Sequence, residues 1–546
     1  SAEVAARAAR AMPSMRRSTG LASSAMGRQP AEAARLAAAC RLGAEHLGLA
    51  ALVPAADYLL AQARAIQGAF VDADLLLDRA KAGYEAAGDQ AAALRTDLGR
   101  IHVLNMSGRH EAAVAKADGL LAALGAESAT HAFGGQERDR LIAAVASNRG
   151  ICLRYLGRLG EALAAFDQAA QRFAQLDQPL LLADAKVNRA NGYVALARPG
   201  EALADLREAI AAFEAAGHEH ALGRAQCNLG HALLALGRYE ESVAAFGAAE
   251  LGFGRCQAPP LSLAILALDR AEAQLALNLL AEAREGFAEA LGLLGEEGPP
   301  FERARACWGQ SAVALRTQDL PEARAAVVQA RTLFDDGGNG PQGLGVRLTE
   351  AAVLERSGDG AAALALAEEV LRSAEDAAWD AQALLAGLTV AELALRHDAL
   401  SRAEAVLAGS TDRLQALGLR TLEPLLWQLQ GRLLWRQGRV DEAEQRLRSA
   451  VDAIEGLRGG LGPLAWRRGF LEDKLGAYES LVELLLARGG PGDVRAAFQV
   501  AEQAKSRTLA ENLLGLAGSG APGEAGMAAD ELGLLKAELS EVYSSM

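Results

Sequence analysis

A chain of 546 residues is several times longer than one compact core supports, so it must be divided or repetitive. Apolar residues make up 51% of it, yet aromatics are only 4% and isoleucine occurs seven times. That excludes a sheet-rich fold, and the Ala, Leu, Arg and Glu that dominate predict an almost wholly α-helical protein. The formal charge of −14 repels a polyanion and argues against nucleic acid as the main partner.

Residues 1–30 are read as an N-terminal segment outside the packed array. Residues 1–31 carry five arginines and one glutamate, superficially like a transit peptide, but the alanine-rich composition reads as a poorly ordered lead-in. No apolar stretch of 18 residues is free of charge, so no membrane span is expected. The five cysteines are odd in number and widely separated, which predicts reduced, buried thiols in a cytoplasmic protein.

From residue 31 to about 450 the chain repeats. Asn148 is followed by Gly157-Arg158, Glu161-Ala162, Phe166 and Ala169. The pattern recurs with Asn188, Glu201-Ala202, Leu206 and Ala209, then with Asn228, Gly237-Arg238, Glu241-Ser242, Phe246 and Ala249, forty residues apart each time. The small residue of the Glu-Ala pair marks the register as Ala73, Ala112, Ala162, Ala202, Ser242, Ala283, Ala323, Ala362, Ala403 and Ala443. One ten-residue insertion, placed at 125–137, interrupts an otherwise steady period, giving about ten units.

A small residue at i, an apolar one at i+4 and usually alanine at i+7 share one helical face, as in Ala283, Phe287 and Ala290. In later units Glu369 and Ser410 replace the alanine at i+7. An upstream helix such as Ala221–Leu236 ends at a glycine suited to a left-handed turn, and a second helix follows. Such a hairpin cannot bury its apolar side alone, so neighbours must stack into a curved solenoid. Gly-Arg-Tyr-Glu-Glu at 237–241, with alanines at fixed offsets, resembles the tetratricopeptide (TPR) repeat, in the longer period of the kinesin light chain type. Armadillo and HEAT arrays share a near-forty period but generally lack the glycine turn and the Glu-Ala pair. The resemblance implies a right-handed superhelical solenoid of about ten hairpins with C-terminal capping helices.

Motifs that would carry chemistry are weak. Gly338-Asn-Gly340-Pro-Gln-Gly343 has the letters of a dinucleotide fingerprint, but a helix rather than a strand precedes it, and 336–345 reads as a loop. His218-Glu219-His220 sits at a turn, where i and i+2 do not converge on a metal. No catalytic residue, metal site or cofactor is expected.

The asparagines Asn148, Asn188 and Asn228 are the candidate binding residues. They recur on first helices, which line the concave side of TPR solenoids, and an amide can both donate to and accept from an extended peptide backbone. In kinesin light chain an asparagine at the matching place binds ligand, which the resemblance implies here. Asp269 takes the position in the next unit, while Arg149, Arg189 and Arg270, one residue on, suit acidic ligand groups. The alternative is that the asparagines bond between neighbouring repeats and fix the stack.

After the last repeat the chain reads Ala450-Val-Asp-Ala-Ile-Glu-Gly-Leu-Arg458, then Trp466-Arg-Arg-Gly-Phe470 and Ala477-Tyr478-Glu-Ser-Leu. It closes with Ala501-Glu502-Gln-Ala-Lys505-Ser506-Arg507, backed by Leu509 and Leu513-Leu514. This resembles the junction by which bacterial TPR arrays join a CHAT domain, a caspase-like cysteine protease fold whose catalytic domain is absent from this chain. Leu481, Leu484, Leu485, Phe498 and Ala501 are expected in capping helices over 451–515, with Lys505 and Arg507 at an interdomain contact. Residues 516–528 read as a flexible linker, and 529–546 as the start of a helix leading to the missing domain. The function implied is the regulatory or sensing arm of a TPR-CHAT protease, not itself an enzyme, holding a protein or peptide trigger in its concave groove. A freestanding adaptor or chaperone-like scaffold, or the ligand-sensing arm of a transcription regulator, are the alternatives.

Overall fold

The computed structural model describes residues 30–126, 133–296, 298–338, 340–462 and 464–504. Among these there is no strand, and the all-α architecture of stacked TPR-like hairpins expected from the forty-residue period is the one observed. The chain divides into two units. The first takes in the chain to Arg420 except Ala276–Leu279, which groups with the second unit from Thr421 onward.

In the first unit a lone helix, Pro30–His46, precedes nine hairpins running from Val53–Ile66/Phe70–Ala86 to Asp380–Arg396/Leu400–Leu407. The second helix of the ninth hairpin breaks at Ala408-Gly409, where Gly409 turns left-handed at φ 74°, and resumes as Ser410–Leu417. The ten-residue insertion is partly absorbed as helix, because Gly135–Tyr155 has 21 residues where the first helix of the next hairpin has 17.

Each hairpin closes in the same way. Within the Glu219–Ala235/Tyr239–Cys256 pair, Gly237 sits at φ 71°. The N–H of Arg238 reaches back to the Leu233 carbonyl at 2.9 Å, closing a Schellman turn. Arg238 then clamps Glu241 with two bonds of 2.6 and 2.5 Å, and Arg158–Glu161, Arg198–Glu201 and Arg439–Glu442 repeat the clamp. These pairs are exposed, so they fix the turn geometry more than they stabilise the fold. Where the sequence lacks the glycine, other residues are held in the left-handed region, Ala197 at φ 57° and Gln318 at φ 63° among them.

The core lock is a missing side chain facing a large one. A Cβ added to Gly230 on a first helix would lie 2.5 Å from the ring of Phe246 on the second. Gly150 with Phe166 repeats this within its own hairpin, and Gly309 meets Phe287 of the preceding hairpin in the same way. The rings of Phe166, Phe246 and Phe287 are at most 1% exposed, and truncating such a ring to alanine costs about 3–5 kcal/mol.

Two register assignments are corrected. Ala112 is exposed and Ala362 only half-buried, whereas Ala113 and Ala363 are fully buried. In those units the Glu-Ala mark runs into consecutive alanines, and only the buried i+4 partners Ala117 and Ala367 show which one faces inward. The expected loop at 336–345 is also shorter, since a helix starts at Gly340. Its Gly340 and Gly345 lie under the indoles of Trp379 and Trp308, where a Cβ would come within 2.3 and 2.6 Å.

The second unit contains one more hairpin, Glu423–Arg436/Val440–Arg458, followed by Leu464–Glu472, Leu475–Arg488 and a helical stretch over 493–504. Helix Leu475–Arg488 packs across that hairpin, burying Leu481, Leu484 and Leu485. Phe498 departs from expectation: it is 53% exposed, because its helix turns Ala497 and Val500 inward instead. Leu509, Leu513, Leu514 and residues 516–546 lie outside the described residues, as do residues 1–29.

Two helix-interior glycines should respond in opposite directions to alanine. Gly230→Ala should destabilise by about 1–3 kcal/mol through overpacking on Phe246. Gly119→Ala, with nothing within 4 Å of the new methyl, should stabilise by about 0.5–1 kcal/mol. Urea midpoints at constant slope measure both.

Candidate functional site

The first helices of successive hairpins approach each other closely while the second helices do not, which puts the first helices on the inner side of the first unit's curve. A cavity of about 230 Å³ opens on that inner side, lined by Tyr58 and Gln62 of the first hairpin, Gly99 and His102 of the second, and Asn148 of the third. Desolvation lowers the pKa of His102 and favours the neutral ring.

The three candidate asparagines occupy matching places but are engaged differently. Asn148 Nδ2 donates to the Ala144 carbonyl of its own helix at 2.9 Å, and Asn188 Nδ2 donates to Ser147 Oγ of the preceding hairpin at 3.1 Å. Each keeps its carbonyl oxygen. Asn228 is half-buried and makes no side-chain hydrogen bond among the described residues.

The neighbouring charged candidates are neutralised. Arg149 pairs with Asp118 of the preceding second helix at 2.6 Å, and Arg270 with Glu250 at 3.0 Å. Arg189 reaches Asp167 of the preceding hairpin at 2.8 Å and grips Asp205 of its own with two bonds of 2.7 Å. Each arginine therefore ties one hairpin to the last. Asp269 is 3% exposed, accepts from Arg305 at 2.7 Å and from the Cys227 thiol at 3.0 Å, and is not presented to a ligand. Lys505 and Arg507 fall outside the described residues.

One arrangement had no mark in the repeat pattern. The turns after the first helices of hairpins two and three touch hairpins seven to nine. Trp379 Nε1 donates to the Gly157 carbonyl at 3.0 Å. A Cβ on Gly157 would lie 2.5 Å from that indole and 2.8 Å from Pro341. Tyr155 meets Phe301 edge-on with centroids 4.6 Å apart, and Phe301 meets Phe334 likewise at 5.5 Å. On its other side Tyr155 stacks on His110 at 4.7 Å and lies 4.3 Å under the Arg154 guanidinium. The first unit thus closes on itself in a clasp, the turns of hairpins two and three meeting the starts of hairpins seven to nine. The available sequence signal was the placement of scarce aromatics beside helix ends: Tyr155 and Trp379 flank a turn and a helix start.

Other sequence motifs are spent on structure. His220 bonds Ser262 at 2.9 Å, Glu219 pairs with Arg255, and no cluster able to hold a metal occurs among the described residues. Burial pushes the Cys152 thiol up to about 12 and the Cys227 thiol well above its ordinary value, so neither is a ready nucleophile. No described helix is long and apolar enough to cross a membrane.

Residues 223–250, most of the fifth hairpin, match the tetratricopeptide repeat family. No curated protein matches the chain in sequence. Among solved structures it is similar to a Rap protein complexed with competence and sporulation factor, at 11% identity and a TM-score of 0.50, covering 67% of this chain and 99% of that one. It is also similar to the Cut9-Hcn1 hetero-tetramer of the APC/C, at 14% identity and a TM-score of 0.45, covering 92% and 93%. At these identities the likeness is one of fold.

His110 gives the clasp a pH signature. It is 3% exposed, with Nδ1 on Asn105 Oδ1 at 3.0 Å and Nε2 unpaired. Burial, and secondarily Arg154, lower its pKa from 6.5 to about 4. The folded state therefore favours the neutral ring: the stability is present above pH 6.5 and is lost as pH falls towards 4, by up to about 3 kcal/mol. Denaturation of the wild type against His110→Phe should show the wild type losing ground across that window; parallel profiles would contradict it.

Proposed function

We propose that the chain is a protein-interaction scaffold that holds an extended protein or peptide segment against the inner face of hairpins three to five. The observation that carries this reading is the row of Asn148, Asn188 and Asn228 on successive first helices, each with an unused carbonyl acceptor and Asn228 with its whole amide available. Acceptors at one-hairpin intervals suit the N–H groups of a strand-like backbone and discriminate little among its side chains. With Arg149, Arg189 and Arg270 held in ion pairs, they are proposed to set the spacing of the asparagines rather than to meet ligand carboxylates. The Rap protein of similar fold was solved with its factor bound, so this architecture admits a bound factor.

The finer reading is that the scaffold serves as the sensing or regulatory arm of a TPR-CHAT protein. It is supported by the Ala501-to-Arg507 junction sequence, with Lys505 and Arg507 at the interdomain contact and a CHAT domain as the covalent partner. The matching gene is then expected to encode a caspase-like domain downstream.

The asparagine row is tested with peptides selected from a displayed random library on the wild-type chain. Asn188→Ala with Asn228→Ala should raise their Kd by about tenfold or more, two lost hydrogen bonds being worth roughly 1–3 kcal/mol. Unchanged affinity with a lower urea midpoint would instead assign the asparagines to holding the stack, as the Asn188–Ser147 bond does.

A further inference from the structure

The second unit carries an apolar groove with no part in the reading above. It is a cavity of about 490 Å³ between Leu464–Glu472, Leu475–Arg488 and the 493–504 helix. Its walls include the buried Leu471 and Tyr478 and the half-buried Leu475, Val482, Ala501 and Ala504. On the same 493–504 helix, Val494 and Phe498 are 60% and 53% exposed. So much open apolar surface on a water-facing helix pair marks a docking site.

The chain itself offers a matching occupant. The described residues end at Ala504, on the groove wall, and residues 505–546 follow. Their last amphipathic run places Leu532, Leu535, Leu539 and Val542 at spacings of three, four and three, one apolar stripe if helical, about 15 Å long. Between lies Gly-Ser-Gly-Ala-Pro-Gly-Glu-Ala-Gly at 518–526. A tether the length of 505–528, 24 residues, would span about 25 Å as a random coil, enough to return the stripe to its starting point. Four apolar side chains bind weakly as a free peptide, but a tether of this length raises their local concentration to roughly millimolar. That favours the chain's own segment over a separate partner.

We infer that residues 531–543 dock into the groove of the second unit through Leu532, Leu535, Leu539 and Val542, completing its apolar core. The docked segment shields Leu475, Val482 and Ala501 from water. It also fixes where any chain beyond residue 546 departs.

The test uses the full chain. Val482→Cys is paired in turn with Leu532→Cys, Leu535→Cys or Leu539→Cys, and with Lys536→Cys as the off-stripe control, and disulfide formation is followed across a dilution series. At least one stripe pair should close roughly tenfold faster than the control, within single chains and independently of dilution. In parallel, Leu535→Asp with Leu539→Asp should raise the binding of an apolar fluorescent dye, with far-UV circular dichroism unchanged, while Lys536→Asp should not. Stripe pairs no faster than the control, or cross-links only between chains and vanishing on dilution, would overturn the inference; so would dye binding unaltered by the stripe variants.

Discussion

The structure depends on one contact repeated along the chain: a ring or a leucine on the second helix of a hairpin pressed onto a first helix where a side chain is missing. Gly150 under Phe166, Gly230 under Phe246, Gly309 under Phe287 and, in the second unit, Gly431 under Leu447 are variants of it. The close approach leaves each hairpin thin, with its remaining apolar side uncovered, so stability has to come from the next hairpin. The two layers then differ. Glycine and alanine faces allow the first helices to crowd together, and the second helices fan outward, which is what bends the first unit.

Bending has two consequences. It gathers one face of every first helix onto the inner side, so that Tyr58, His102 and Asn148, drawn from three hairpins, line one cavity. It also returns the chain to itself, so that Gly157 and Trp379, 222 positions apart, share a hydrogen bond. The ion pairs follow the same geometry. Arg149, Arg189 and Arg270 lie between a first helix and the preceding second helix, and their acids hold the hairpin-to-hairpin rotation from which the curve accumulates.

Much of this was legible in the residues. The forty-residue period, the glycine turn and the small-large-small face each have a local cause, so the hairpins and their number could be read directly. Where the signal is local but degenerate, reading failed by one residue: in Glu-Ala-Ala and Ala-Ala-Ala runs only the i+4 partner distinguishes Ala113 from Ala112 and Ala363 from Ala362. Gly340 and Gly345 read as loop formers because glycine favours turns, but their purpose is to admit Trp379 and Trp308, residues far along the chain. The site was the least legible part. An arginine beside an asparagine looks the same in a sequence whether it awaits a ligand or already grips an aspartate 31 positions earlier, as Arg149 does. The clasp of Tyr155, Phe301 and Trp379 has no periodic signature, because it is made by the curve rather than by any one hairpin.

The self-contact of the first unit is the most direct point of attack. Spin labels on cysteines placed at the exposed Arg109 and Asp336, beside Gly108 and Gly337 where the two sides meet, can be read by pulsed dipolar spectroscopy; four of the five native cysteines are buried and Cys256 is partly so. The account predicts a single narrow, short-distance population that broadens when Trp379 is replaced by Ala. A broad distribution centred on long distances in the wild type would contradict it, since it would mean that the hairpins stack without closing on themselves.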